Sequence, residues 1–190
     1  MKNFAKIIFA LVIFAPIYLF GQQKNASYQV NDALSSVKWT GYGAIGSYSL
    51  TGTLKLQKGT FKFDKKKISG GVFVFDMNTI SHEEKNLEKH LKGEDFFDVP
   101  KFPTATFELN TVEKGLASGF LTIKNIKKPI SFPVKIVQKD KKTQVIGTMS
   151  VDRTLFGITY NSSSFFKDLG EQAIKNNFDL SFDLAADQMP

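Results

Sequence analysis

Apolar and polar residues alternate with a period of two along most of the chain, which predicts strands with one buried face. In 36–43, Val37 and Trp39 lie opposite Lys38 and Thr40. In 53–63, Leu54, Leu56, Phe61 and Phe63 are spaced by Lys55 and Lys62, and Gly59 reads as a bulge or bend. Val72 to Phe75 is apolar on both faces. Further runs fall at 104–112, 117–124, 130–137 and 144–151, and the last, 178–184, alternates without a break. Eight strands result if 48–65 is one long bent strand. Lysine-rich turns separate them, at 65–67, 114–115 and 139–142. So many one-faced strands must bury their apolar faces against each other, in a sandwich or a closed antiparallel barrel.

One helix breaks the pattern. Ser81 and Glu84 form a Ser-x-x-Glu capping box. Leu87 and Leu91 follow four residues apart, Glu88 and Lys92 make an i,i+4 pair, and Gly93 supplies a stop. The next stretch, Asp95-Phe96-Phe97-Asp98-Val99-Pro100, is too aromatic for a free loop. Helix and aromatic corner together fit a lid over one barrel end.

The first 21 residues have a different character. Lys2 and Lys6 precede an uncharged run of 14 residues, Ile7 to Phe20. That is the length of a signal-peptide core and short of the ~20 residues that span a bilayer. Residues 1–21 are therefore expected to be a signal peptide and 22–190 a single domain, with a membrane anchor as the alternative.

Composition narrows the chemistry. Cysteine is absent, which excludes disulfides, thiolate metal sites and thiol nucleophiles. The two histidines do not share a helical face, and His82-Glu83-Glu84-Lys85-Asn86 lacks the second histidine of the HExxH zinc motif. No phosphate loop, dinucleotide fingerprint or nucleophile elbow is present. A binding protein without metal or cofactor is expected rather than an enzyme. The net charge of +7 comes from lysines scattered on outer faces and turns. That suits transient contact with an anionic membrane surface better than nucleic acid.

The run His90-Leu91-Lys92-Gly93-Glu94-Asp95-Phe96-Phe97-Asp98-Val99-Pro100-Lys101-Phe102-Pro103 resembles the signature stretch of the YceI-like polyisoprenoid-binding proteins. Gly119 to Pro129, Asp152-Arg153-Thr154 with Phe156-Gly157-Ile158, the closing strand Phe178 to Leu184, and Ser36 to Gly41 agree in order and spacing. The resemblance spans roughly residues 28–185. It implies a lipocalin-like eight-stranded antiparallel barrel with one or two short helices, and a periplasmic or secreted location. It also implies a lumen that holds a polyisoprenoid or similar long amphiphile, for carriage or storage. A ligand-free structural or stress barrel, and less favourably an enzyme acting on an isoprenoid, are the alternatives. A homodimer stays open.

Alternation nominates the inward residues. These are Trp39, Phe73, Phe75, Phe107, Leu109 and Leu121 in the first half of the barrel, and Ile123, Phe132, Val134, Phe178, Leu180 and Phe182 in the second. They either pack a core or touch a ligand. His90, Phe96 and Phe97 are candidates for the lid or the ligand head. Arg153 joins them as the only arginine beside 24 lysines. Its planar fork grips carboxylate or phosphate with two bonds. The partner is an acid such as Asp152 or Asp168, the ligand's polar head, or the loop that covers it. N-terminal sequencing of the exported protein should read from near Gln22, and an intact Met1 in the membrane pellet would support the anchor instead.

Overall fold

Nine antiparallel strands carry the fold in the computed structural model, which describes residues 26–64 and 67–190. The expected signal peptide lies outside them. The strands are β1 (Ala26–Val30), β2 (Ser36–Tyr42), β3 (Ser49–Asp64), β4 (Lys67–Ser81), β5 (Thr104–Glu113), β6 (Leu116–Ile123), β7 (Ile126–Lys139), β8 (Lys142–Asp152) and β9 (Asn177–Gln188). One α-helix, α1 (Lys85–Lys92), lies between β4 and β5.

Strands β4 to β9 pair in chain order. Closure depends on β3. One of its edges pairs with β4; the other pairs first with β2, at Val37 and Leu54, and then with β1, at Tyr28 and Phe61. Both β1 and β2 also pair with β9. They are separated only by the 3-10 turn Asp32–Leu34 and share one position in the wall. Nine strands therefore fill eight positions of a closed barrel, each position paired with the next around the ring. The alternation of β1, Tyr28 and Val30, is too short to read from the sequence alone.

Two local expectations are corrected. Gly59 is not itself a bulge: it pairs in register with Phe73, and the register shift falls between Leu56 and Lys58. A side chain at position 59 would collide with Val30 of the adjacent strand β1. A Cβ there would meet Val30 Cγ2 at 2.6 Å. The capping box does not form either. Ser81 is the last residue of β4, and α1 begins after Glu84 without a side-chain cap. His82 supplies the acceptor instead, its Nδ1 taking the Glu84 N–H at 3.0 Å. Leu91 and Gly93 do act as expected, burying one helix face and ending the helix.

Connections alternate between the barrel ends. The β5–β6 and β7–β8 turns lie at one end, together with the paired strand ends Asp64 and Lys67, so Lys67, Lys114, Lys139, Lys141 and Lys142 all fall there. Lys114 and Gly115, both at positive φ, form a two-residue hairpin turn whose twist matches the flanking strands. The opposite end carries α1, the β2–β3 and β6–β7 turns, and the long β8–β9 connection.

The register predicts a sharp contrast. Phe107 is buried, whereas its neighbour Glu108 faces out and accepts from Lys127 Nζ at 2.7 Å. Phe107→Asp should abolish cooperative folding, because an unpaired buried carboxylate costs several kcal/mol. Glu108→Lys should cost no more than about 1 kcal/mol, the value of an exposed pair. Thermal unfolding of the two variants checks the inside–outside assignment, as would Phe182→Asp on the closing strand.

Candidate functional site

The barrel interior is hollow. Inward residues leave two stacked chambers, with cavity volumes of about 100 Å³ and about 40 Å³. Both exceed the ~10–15 Å³ that one water needs. All twelve inward residues nominated from alternation border them. Trp39, Leu121, Ile123, Phe178 and Leu180 face the upper chamber, beneath α1. Phe73, Phe75, Phe107, Leu109, Phe132, Val134 and Phe182 face the lower one. The boundary is one side-chain step on most strands: Trp39 above Val37, Leu54 above Leu56, Met77 above Phe75, Ala105 above Phe107, Val151 above Met149 and Leu180 above Phe182. One lumen thus narrows at its waist. Along β9 its lining runs from Phe178 to Leu184, about 20 Å at ~3.4 Å per residue.

Aromatic rings hold the lower chamber. Tyr28 stacks on Phe61 with centroids 5.3 Å apart, and Phe61 on Phe73 at 6.4 Å. The series continues through Phe107, Phe132 and Phe182, at 6.2, 5.2 and 5.9 Å. Gln138 Nε2 donates to Tyr28 Oη at 2.8 Å, so the phenol at the start of the row has its polar partner.

The upper chamber is roofed by the aromatic corner. Asp98 adopts φ 46°, reversing the chain, and its N–H returns to Gly93 O at 2.8 Å. The buried Asp98 carboxylate pairs with Lys101 at 3.1 Å. This turn aims Phe96 and Phe97 at the chamber. Phe97 packs edge-on to Phe178 at 6.2 Å, and Lys124 Nζ donates to Phe96 O at 2.9 Å, tying the corner to the β6–β7 turn. His90 does not reach the lumen. Its ring lies edge-on to Tyr160 at 4.6 Å and Phe96 at 5.1 Å, and its Nε2 faces Asp95 at 3.4 Å. His90 buttresses the corner from outside.

Arg153 takes neither of its two expected partners as an acid bridge. It is 3% exposed, and among the described residues no carboxylate lies within ion-pair distance. Nε, Nη1 and Nη2 donate to the carbonyls of Lys175, Ile158 and Ile174 at 3.1, 2.9 and 3.2 Å. The guanidinium also lies over the Phe96 ring at 5.9 Å. Burial strips its hydration and lowers its pKa, opposed by the Asp152 charge. Arg153 therefore straps both limbs of the β8–β9 connection to the chamber mouth. Its fork serves three carbonyls that a lysine could not reach together.

Spacing in the sequence left other features unread. Met77, Ile80 and Val151 also line the upper chamber. Tyr42 donates to Asp179 Oδ2 at 2.7 Å, which raises the phenol's pKa. Two buried side-chain polar atoms have no partner among the described residues, Thr143 Oγ1 and Trp39 Nε1. Of these residues only Trp39 borders a chamber, and the Nε1 edge of its indole packs over Gly52. Among the described residues no group of three or more His, Asp or Glu is placed to hold a metal. What the arrangement can do is bury a slender hydrocarbon.

A closed antiparallel barrel around an elongated apolar lumen defines a lipocalin-like class of protein. Within that class the chain belongs to the YceI-like family, whose YceI-like domain matches residues 28–186. Protein YceI of Salmonella newport is 38% identical over 98 residues, 48% of this chain and 51% of that protein. The match thus spans about half the length of the curated relatives. Burkholderia cenocepacia BcnA superposes with a TM-score of 0.68 at 22% identity, covering 82% of this chain and 98% of BcnA. A polyisoprenoid binding domain from Saccharophagus degradans, implicated in plant cell wall breakdown, gives 0.66 at 10% identity over 85% of this chain and 98% of that domain. The YceI protein of Campylobacter jejuni gives 0.62 at 19% identity, covering 77% and 89%.

Two variants test the lid. Arg153→Lys should lower the melting temperature markedly, since each buried carbonyl left without a donor costs about 1–3 kcal/mol. The carboxyl of Glu88 is held down to about 2 by Lys92, then Lys85 and the His82 N–H. A depressed folded pKa stabilises above the unfolded value and is lost as pH falls toward the folded one. The helix should therefore loosen between about pH 4.5 and pH 2. In Glu88→Gln, the protection factors of the α1 amides, taken relative to the intrinsic exchange rate at each pH, should lose their dependence on pH across that window.

Proposed function

We propose that this chain is an exported carrier or store for a long apolar lipid of the polyisoprenoid class, held along the lumen. The observation that carries the reading is the hollow, ~20 Å apolar lumen closed by its own lid. A core-packing barrel of eight strands can be filled by its side chains, and this one is not. The polyisoprenoid binding domain among the structural relatives supports the ligand class. The apolar stretch at 7–20 supports export to a periplasmic or extracellular space, where a membrane surface would donate or accept the lipid.

Burial sets the affinity scale. Each CH₂ taken from water contributes about 0.8 kcal/mol, so an isoprene unit contributes at most about 4. Ordering a flexible chain offsets much of that. Affinity should climb with chain length and level off once the tail has filled the lower chamber.

The test is mass spectrometry of an organic extract of the purified protein, followed by titration with geraniol, farnesol and undecaprenol. A polyisoprenoid in the extract, and affinity that plateaus along the series, support the carrier. An empty extract together with no uptake of any of the three would leave a ligand-free structural barrel. Turnover of the lipid would point to an enzyme.

A further inference from the structure

The wall of the barrel has a seam. Strand β7 changes partner halfway along: Ile126–Pro133 pairs with β6, and Val134–Lys139 pairs with β8. Strand β8 stays on β9 along its whole length, so its segment Thr148–Asp152 has no partner on the β7 side. Proline explains the break. The Val134 N–H donates to Gly115 O at 2.8 Å, toward the β6 side. Backbone groups alternate along an antiparallel strand, so the even-numbered N–H groups of β7 face β6 and the odd-numbered positions face β8. Pro129 and Pro133 occupy two of those odd positions and have no N–H to give.

The chain closes the upper part of the seam with the 3-10 turn Arg153–Phe156 and the residues after it, where Phe156 and Ile158 are buried. Below that turn the gap ends at the pair Val134–Gly147, and just above this pair Pro133 and Thr148 face each other without backbone pairing. There an outer groove, rimmed by Lys38, Lys135, Thr148 and Ser181, reaches Val134, Gly147 and Phe182. Val134 and Phe182 also line the lower chamber. These two residues thus stand between the groove and the chamber, beside the unpaired Pro133 and Thr148. Phe182 is half-buried. Gly147 makes room for its ring: a Cβ at 147 would stand 2.7 Å from Phe182 Cζ.

We propose that the seam between Pro133 and Gly147 is a lateral portal from the lower chamber, gated by the Phe182 ring, through which the apolar tail of a lipid longer than the lumen passes. The far end of the lower chamber is blocked by Phe61 with Tyr28 stacked on it, so a long tail needs a side exit. The portal rests on the lipid reading above and adds to it: the lumen does not limit the length of chain the protein accepts.

The chain has no cysteine, so one introduced thiol reports without ambiguity. Ser181→Cys, on the outer rim, is labelled with acrylodan and loaded with geraniol or undecaprenol, and bound lipid is counted by native mass spectrometry. The expected result is a blue shift with undecaprenol and none with geraniol at equal loading. Equal loading without a shift from either lipid overturns the portal and leaves the carrier reading standing. No loading by either lipid overturns the carrier reading itself, and the portal with it. In a second arm, Phe182→Ala should speed undecaprenol dissociation at least about tenfold, the gain from removing ~1.4 kcal/mol of barrier. Phe97→Ala at the roof is the comparison. Faster release from the Phe97 variant alone places the route at the lid and overturns the portal.

Discussion

A row of aromatic rings is the feature on which the rest of this barrel depends. Tyr28, Phe61, Phe73, Phe107, Phe132 and Phe182 come from strands β1, β3, β4, β5, β7 and β9, and each ring touches the next at 5.2–6.4 Å. Such pairs contribute about 0.5–1.5 kcal/mol each beyond the area they bury. Rings are also rigid, and a rigid side chain braces a wall without collapsing into the middle. Flexible aliphatic residues in the same places would relax inward and fill the space. The row therefore reconciles two demands that usually conflict: a buried apolar face on every strand, and a lumen that stays open.

The two ends of the lumen are closed by different means. Below, Phe61 and Tyr28 plug it with side chains from strands that are hydrogen-bonded on both edges. Above, the roof is made of connections. Its pieces are tied by hydrogen bonds from long cations to main-chain carbonyls, Arg153 to three of them and Lys124 to Phe96 O. Few apolar contacts and local bonds mark the segments that open first in a folded protein. The side wall at Pro133 and Gly147 is a third kind of closure, in which a single ring stands where a backbone ladder stops.

Arg153 shows how a rare residue can be noticed for the right reason while the groups it grips stay unnamed. Its singularity among 24 lysines marked a need for the guanidinium fork. The need is real, but its acceptors are the carbonyls of Ile158, Ile174 and Lys175. Backbone carbonyls carry no identity in a sequence. Every residue has one, and only the path of the chain decides which three converge. The capping of α1 failed to be legible for a related reason: the motif Ser81-x-x-Glu84 was present, but β4 pairs as far as Ser81 and claims its backbone for the sheet.

What the sequence by itself determined was the side of the wall on which each strand residue lies. A period of two leaves no freedom there, because a one-residue slip would turn every apolar side chain to water. Hence all twelve inward residues could be named in advance, and the aromatic corner could be placed over one end. Tertiary structure alone decided how the wall closes and where it does not. The division of one barrel position between β1 and β2, the waist between two chambers, and the change of partner along β7 are all pairings between distant segments. They follow from which edges meet in space. The prolines at 129 and 133 are visible in the sequence, but the edge they disarm exists only once β6 and β8 flank the strand.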